Sequence, residues 1–460
     1  MAPREFDVIV IGAGQSGPFL AARFAQAGQR VALIEREHLG GTCVNDGCIP
    51  TKTLVASARA AHVARRAAEF GVRIDGGVTV DLRAVKARKD AVVNESVASL
   101  TAWLEGPKTL TLIRAEARFV GPGRVRAGDD EFSAPQIFIN VGGRPTVPDW
   151  PGLADVPYLT NTSMMALETL PAHLIVVGGS YIGLEFAQMY RRFGSEVTVI
   201  EAAPRLIARE DTEVSDALRA LLEGEGIAVH TGAANLAMAR DGDRVRVRFD
   251  RAGAAQAVVG SHLLLAVGRT PNTDGLGLAE AGVDLDARGF IVVDDELRTS
   301  APGVWALGDV NGQGAFTHTS YNDFEIVAAN LLDAGTRRVS DRVMAYALYT
   351  DPPLGRIGMS EAQVRASGRA AKVARLPMGR VGRARERGET TGFMKVLVDA
   401  QTDRFLGAAL FGIEADEVVQ LLLLAMAADL PTTRIARTMW IHPTVSELLP
   451  SLFAALEPLA

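Results

Sequence analysis

Cysteine is the scarcest resource of this chain: 460 residues hold two, and histidine is limited to seven. A zinc site built on the two cysteines would need two more ligands, which so few histidines hardly supply. No metal site is expected. Charge of one sign is also missing, since acidic and basic residues are interspersed and balance to −6. That excludes a basic nucleic-acid footprint and an acidic tail. Long apolar runs are absent too: the longest, around residues 421–427, is too short and too soon interrupted to cross a bilayer. No secretory leader is expected, because the strand-like run Phe6-Asp7-Val8-Ile9-Val10-Ile11 begins close to the first methionine. The expectation is a soluble cytoplasmic protein of about three domains. In that reducing compartment a disulfide is more readily catalytic than structural.

What is present is a concentration of chemistry in one stretch. Gly40-Gly41-Thr42-Cys43-Val44-Asn45-Asp46-Gly47-Cys48-Ile49-Pro50-Thr51-Lys52 holds both cysteines, five residues apart. Gly-Gly-Thr reads as a helix entry with Thr42 at the N-cap. A thiol at a helix N-terminus with a lysine nearby has a lowered pKa and is a better nucleophile. Five residues of regular helix separate alpha carbons by about 7.5 Å, whereas a disulfide wants roughly 4.4–6.8 Å. If the thiols bond, the helix is distorted or begins between them, with Gly47 supplying the slack. This stretch alone leaves open a redox pair and two reduced structural cysteines.

Two dinucleotide fingerprints surround that question. Val8–Ile11 is followed by Gly12-Ala13-Gly14-Gln15-Ser16-Gly17, a helical run over 21–27 closed by Gly28, and the strand Val31–Glu35. Its glycines allow a tight turn and close backbone approach, a helix N-terminus faces the pyrophosphate, and Glu35 can bond a ribose hydroxyl. Pro18 falls in the first helical turn, where a missing amide costs little. The pattern returns in Leu174-Ile175-Val176-Val177-Gly178-Gly179-Ser180-Tyr181-Ile182-Gly183-Leu184-Glu185, with Gly194 ending the helix and Val197-Thr198-Val199-Ile200-Glu201 as the second strand. Two fingerprints imply two dinucleotides, or one dinucleotide and a flavin adenine dinucleotide. Two related runs, Ile137-Phe138-Ile139-Asn140-Val141-Gly142-Gly143-Arg144-Pro145 and Leu263-Leu264-Leu265-Ala266-Val267-Gly268-Arg269-Thr270-Pro271, read as exits from one nucleotide domain into the next. Val304-Trp305-Ala306-Leu307-Gly308-Asp309 is a buried strand whose end offers a carboxylate to a sugar or ribitol hydroxyl.

Elsewhere the sequence is plainer. Residues 81–104 read as a scaffold helix, and 375–389 as a solvated, basic, glycine-rich loop. Phe393–Asp399 and Phe405–Phe411 alternate like antiparallel strands turning at Asp403, and helices follow over 417–428 and 432–439. His442, with Glu447 five residues on, has the spacing of an oriented base.

Together the two Rossmann units, the GGTCxNxGCIPxK stretch, the Gly-Arg-x-Pro turns, Ala306-Leu307-Gly308-Asp309 and the terminal His442-Pro443-Thr444-Val445-Ser446-Glu447 resemble the flavin-dependent pyridine nucleotide–disulfide oxidoreductases, over essentially the whole chain. The resemblance implies an α/β fold of two Rossmann-type domains plus a C-terminal α+β dimerisation domain. FAD would be held by 1–150 and 272–340, NAD(P)H by 151–271, and 341–460 would form the interface. It implies FAD contacts at Gly12, Gly14, Gly17, Glu35, Gly41, Thr42, Gly143 and Asp309, and NAD(P)H contacts at Gly178, Gly183, Glu201 and Gly268. Lys52 and Glu185 match the pair beside the flavin. Cys48 matches the cysteine closest to the flavin, which forms a charge-transfer thiolate, and Cys43 the interchange thiol that attacks substrate. His442, oriented by Glu447, matches a base that reaches the dithiol of the other subunit, so a homodimer is implied. Glu201 accepts bonds from a 2′-hydroxyl and repels a 2′-phosphate, favouring NADH over NADPH, although Arg205 and Arg209 stand near.

Three departures bear on substrate. Without further cysteines the chain lacks the terminal pair and the N-terminal metal-binding module of typical mercuric reductases, so efficient mercuric ion reduction is not expected. Asp46 stands where relatives generally carry an apolar residue, and a carboxylate there would raise the thiol pKa values unless solvated or paired. The runs over 314–323 and 350–359 look closest to the mercuric-reductase-like branch, which includes flavoproteins that reduce hypothiocyanous acid. The expected activity is reduction of a small oxidant or disulfide, with dihydrolipoamide dehydrogenase as the second reading and a non-catalytic redox sensor as the third.

Overall fold

The computed structural model describes residues 3–459. Each fingerprint becomes a parallel sheet. In the first, five parallel strands run in the order Val304–Ala306, Gln136–Ile139, Val8–Ile11, Val31–Glu35, Leu110–Arg114. Alternation along the central strand divides its side chains between two cores. Val8 and Val10 pack with Leu20, Phe24 and Phe138, whereas Ile9 and Ile11 pack with Phe119, Val125 and Phe132. Both faces are therefore covered, and all four residues are buried. The helix Gly17–Gln26 starts at Gly17 with Pro18 in its first turn.

The second parallel sheet is ordered Ala228–Thr231, Glu196–Glu201, His173–Val177, His262–Leu265. The two glycine-turn runs meet directly, with Gly143–Pro145 pairing antiparallel to Arg269–Pro271. The two connections between the sheets thus run side by side. Both glycine loops line one cleft with Gly143 and Thr270 of that crossing.

The C-terminal unit is a six-stranded antiparallel sheet: Ala345–Leu348, Leu354–Gly358, Phe405–Phe411, Phe393–Asp399, Ala371–Pro377, Glu457–Pro458. Helix Ala415–Ala427 covers it, seating Val418, Val419, Leu422 and Ala425 with Ile357, Ala408 and Leu410. Two expectations need correction here. Residues 375–389 are not a solvated loop: they finish the strand Ala371–Pro377 and continue through short helical turns. Their arginines point out, but Met378, Val381 and Ala384, three apart, are completely buried. The helix expected over 432–439 stops at Ala436, and the indole of Trp440 turns back to donate to Ile435 O at 3.2 Å. The scaffold helix is Leu82–Glu105, capped by Asp81 accepting from the amides of Arg83 and Ala84.

Buried charge ties the C-terminal sheet to the second parallel unit. Lys395 is 1% exposed and reaches Asp211 at 3.0 Å, Glu213 at 2.6 Å and Glu361 at 2.7 Å. Arg356 lies 3.1 Å from Asp211. Removing one partner from such a cluster strands the others, at a cost of about 3–5 kcal/mol. Lys395→Met is therefore expected to lower the denaturation midpoint markedly; an unchanged midpoint would show that the cluster adds nothing net.

Candidate functional site

A break separates the two cysteines. One helix, Gly41–Asn45, ends at Asp46, and a second, Cys48–Arg65, begins at Cys48 after Gly47. A Cβ on Gly47 would stand 2.8 Å from Thr42 O, so the fold-back needs glycine there. Thr42 is not the N-cap. That position is Gly40, left-handed at φ 89°, because two consecutive glycines make the turn without side-chain help. The Thr42 hydroxyl instead accepts from Arg269 Nη2 at 3.3 Å.

Both thiols are free and half-buried. Cys48 Sγ lies 3.0 Å from the hydroxyl of Thr317, the first residue of helix Thr317–Leu332. A hydrogen bond from Cys43, then the Thr317 hydroxyl and the Lys52 charge, bring Cys48 down to about 6 despite burial. Cys43 moves the opposite way, because its proton serves Cys48 and burial disfavours its own thiolate. The dithiol therefore carries its negative charge on Cys48 and its proton on Cys43. Thr317→Val removes a donor to the charged form, so the pH midpoint of Cys48 alkylation is expected to move up from about 6. An unmoved midpoint would show that the hydroxyl does not stabilise the thiolate.

One turn on from Cys48, Lys52 donates to both oxygens of Glu185 at 2.8 and 3.1 Å. Glu185 is 5% exposed, on helix Tyr181–Phe193 of the second Rossmann unit. Nothing in the sequence singles out Tyr349 or Thr317, yet both touch this group. Tyr349 N donates to Glu185 Oε1 at 2.9 Å, and its ring centroid lies 4.7 Å from Lys52 Nζ. Asp46 is paired: its carboxylate accepts from Thr162 Oγ1, and its backbone carbonyl from Asn161 Nδ2 at 3.0 Å.

The glycine loops share one cleft of about 2380 Å³ with the thiols. Its lining includes Gly12, Gly14, Gly41, Thr42, Gly143, Gly178, Gly268, Lys52, Glu185 and Asp309. That volume is more than double an ordinary small-molecule pocket of about 300–1,000 Å³. Gly17 and Gly183 lie behind the lining. A Cβ there would stand 2.1 Å from Gly12 O and 2.0 Å from Gly178 O, so each allows a helix to pack against its own loop. The terminal acids are held alike. Glu35 accepts from Ala13 N and Glu37 N at 2.7 Å each, and Glu201 from Gly179 N and, at 2.6 Å, from Ala203 N. Arg205 turns aside to Thr212, whereas Arg209 lines the cleft.

The residues fit a bound flavin dinucleotide. Asp309 lies deep in the cleft, its carboxyl pushed up by burial and opposed by Arg269 at 3.6 Å. Arg269 Nε is buried with no hydrogen-bond partner of its own. An orphaned donor beside a carboxylate, at the end of a strand leading from a glycine-loop sheet, suits a polyhydroxyl or phosphate group.

The structure does not bring His442 to this cluster within one chain. Neither His442 nor Glu447 lines the cleft. His442 Nδ1 is 2.9 Å from Glu447 Oε2, and the histidine side chain is 78% exposed. Met439 and Ile441 beside it are 95% and 79% exposed. Among the described residues, no helix is long and apolar enough to cross a membrane.

Comparison with known proteins agrees with this geometry. The model of the pyridine nucleotide-disulphide oxidoreductase family matches residues 6–323, and that of the family's dimerisation domain matches 344–452. The chain is 37% identical over 461 residues to the probable pyridine nucleotide-disulfide oxidoreductase RclA of Escherichia coli, covering 98% of this chain and 100% of that one. It is 36% identical to a dihydrolipoyl dehydrogenase of Thermus scotoductus, covering 99% and 98%. The solved structure of the HOCl-induced flavoprotein disulfide reductase RclA from Escherichia coli superposes with a TM-score of 0.88 at 36% identity, over 97% of this chain and 99% of that one. This chain belongs to the FAD-dependent pyridine nucleotide-disulphide oxidoreductase family.

Proposed function

We propose that the protein is a homodimeric reductase that takes two electrons from NADH and delivers them through Cys48 and Cys43 to a small oxidant or low-molecular-weight disulfide. On this reading residues 1–150 and 272–340 hold FAD, 151–271 hold the nicotinamide coenzyme and 341–460 form the interface. The observation that carries it is the poised Cys48 thiol, bonded to Thr317, in a cleft shared with two glycine loops, each of which donates a backbone amide to the glutamate ending the next strand.

When bound, FAD and the coenzyme supply the hydride and electron chemistry. The chain's part is sulfur exchange. Cys43 gives up its proton and attacks the oxidised sulfur of the substrate, whose bond to its leaving group breaks as the Cys43–substrate bond forms. The Cys48 thiolate then attacks Cys43 Sγ, closing the Cys43–Cys48 disulfide and releasing the substrate sulfur, which takes up a proton. Two electrons leave the dithiol and two reach the substrate. Cys43 holds its proton tightly, so it needs a base. His442 is suited: an Nδ1–H given to Glu447 leaves Nε2 as the free acceptor. Its exposure outside its own cleft, beside the exposed Met439 and Ile441, supports a place for it in the cleft of the partner subunit on this reading.

Glu201 supports NADH, because its fixed carboxylate accepts from a ribose hydroxyl and repels a 2′-phosphate. Glu201→Ala is expected to raise the KM for NADH by about tenfold through loss of a charge-assisted hydrogen bond, with kcat little changed. An unaltered KM would move the specificity to Arg209.

The likeness to the HOCl-induced RclA favours an oxidant as substrate, and the two-cysteine inventory argues against mercuric ion. A lipoamide reaction is the second reading, favoured by the dihydrolipoyl dehydrogenase relative. NADH consumption with hypothiocyanous acid and with lipoamide, offered side by side, tests the choice. Fast turnover with the first and little with the second supports a detoxifying reductase; the reverse makes it a lipoamide enzyme. Sustained turnover with either excludes a purely sensing role.

A further inference from the structure

One segment of the C-terminal unit grips both helices that carry the thiol-site charges. On the thiol helix, Cys48–Arg65, it meets Lys52 through the Tyr349 ring and Arg59 through an Asp351 carboxylate oxygen. These two residues lie seven apart, on one face of the helix. On helix Tyr181–Phe193 it meets three residues of one face. Tyr349 N donates to Glu185 at 2.9 Å, and Asp351 N donates to Gln188 Oε1 at 2.8 Å. Asp351 O accepts from Arg192 Nη2 at 2.9 Å, and the Asp351 carboxylate pairs with Arg192 as well. Arg192 and Asp351 are largely buried, so this grip lies inside the fold.

We infer that the Tyr349–Asp351 segment is a positioning clamp, through which the C-terminal unit acts within its own chain to hold Lys52 on the Glu185 carboxylate and against the Tyr349 ring face, one helical turn from Cys48. The inference deepens the proposed function and rests on the reading of Cys48 as the working thiolate. The chemistry of the clamp is specific. The Glu185 carboxylate holds the Lys52 ammonium by two hydrogen bonds. The negative face of the tyrosine ring, 4.7 Å from the Lys52 ammonium, gives the cation a second attraction beside that of the carboxylate. Cys43, Thr317, Lys52, Glu185 and Tyr349 all act on or feel Cys48, and Lys52 is the cation of that set. Any freedom gained by Lys52 is felt by the thiolate.

The test is the pH dependence of iodoacetamide alkylation at Cys48, read by mass spectrometry of its peptide, in the full-length Cys43→Ser protein with its natural cofactor content. Adding Tyr349→Leu is expected to slow alkylation at about pH 6 by about three- to tenfold. The difference should vanish at alkaline pH, where the thiolate is complete in both. Tyr349→Phe keeps the ring and should stay within about twofold. A profile unchanged by Tyr349→Leu overturns the inference. So does a slowing that persists at alkaline pH, which would reflect altered access rather than a lost cation. If Tyr349→Leu does not fold, pentafluorophenylalanine at position 349 preserves the ring shape and removes its negative face, and the same two outcomes decide. Alkylation needs no turnover, so a missing shift counts against the clamp alone, whereas a failure to oxidise NADH counts against the proposed function.

Discussion

Cys43→Ser is expected to lower oxidant-dependent NADH consumption by at least about a thousandfold, since a nucleophile that acts as part of a unit carries nearly all of its rate. Serine keeps the size and can still donate a hydrogen bond to Cys48, so the fold and the Cys48 thiolate should survive. It cannot form the bond to substrate sulfur, and it cannot close a disulfide. Cys48→Ser should be equally inactive for a different reason, because a Cys43–substrate adduct would form and never resolve. Mass spectrometry separates the two, with the trapped adduct found only in Cys48→Ser. Retention of more than a few per cent of turnover in Cys43→Ser would remove Cys43 from the reaction.

The second large effect concerns the base. His442→Ala is expected to slow turnover by about a hundred- to ten-thousandfold, the usual range for a lost general acid–base. Its dependence on subunit arrangement gives a sharper result. Mixing the Cys43→Ser and His442→Ala proteins under conditions of subunit exchange creates heterodimers. If each cleft is completed by the partner, one cleft of the heterodimer combines both mutations and the other has neither. Random exchange then restores about a quarter of the native activity. If His442 served its own chain, both clefts would stay impaired and nothing would return. The exposed Met439 and Ile441 beside His442, and the match to the family's dimerisation domain, support the shared arrangement.

Much of this architecture was legible because it is written in local pattern. Val8–Ile11 and His173–Val177 are short unbroken apolar runs, each followed by a glycine loop, and both fold as strands of parallel sheets. The helix break between the cysteines was expected on the condition that the thiols bond; it is present at Gly47 with both thiols free. Thr42 failed as a cap because Gly40 and Gly41 already make the turn in left-handed conformation, which residue preferences at caps do not weigh. Residues 375–389 misled because arginines dominate their composition, while the few apolar residues that decide burial are spaced three apart. Tyr349 and Thr317 were invisible for another reason. Their partners, Lys52 and Cys48, lie hundreds of residues away, and no local signal records such a contact. The outcome for Asp46 was also long-range: its carboxylate is engaged by Thr162, in the second unit.

The most direct measurement is a count of thiols. The air-oxidised protein is treated anaerobically with excess NADH, then alkylated and digested. If electrons travel from the coenzyme to the Cys43–Cys48 pair, two alkylated cysteines per chain appear, both in the peptide spanning residues 43–48, and neither is modified without NADH. Oxidation of NADH with the pair still disulfide-bonded, or two modified cysteines before NADH is added, would contradict that path and leave the thiols as bystanders.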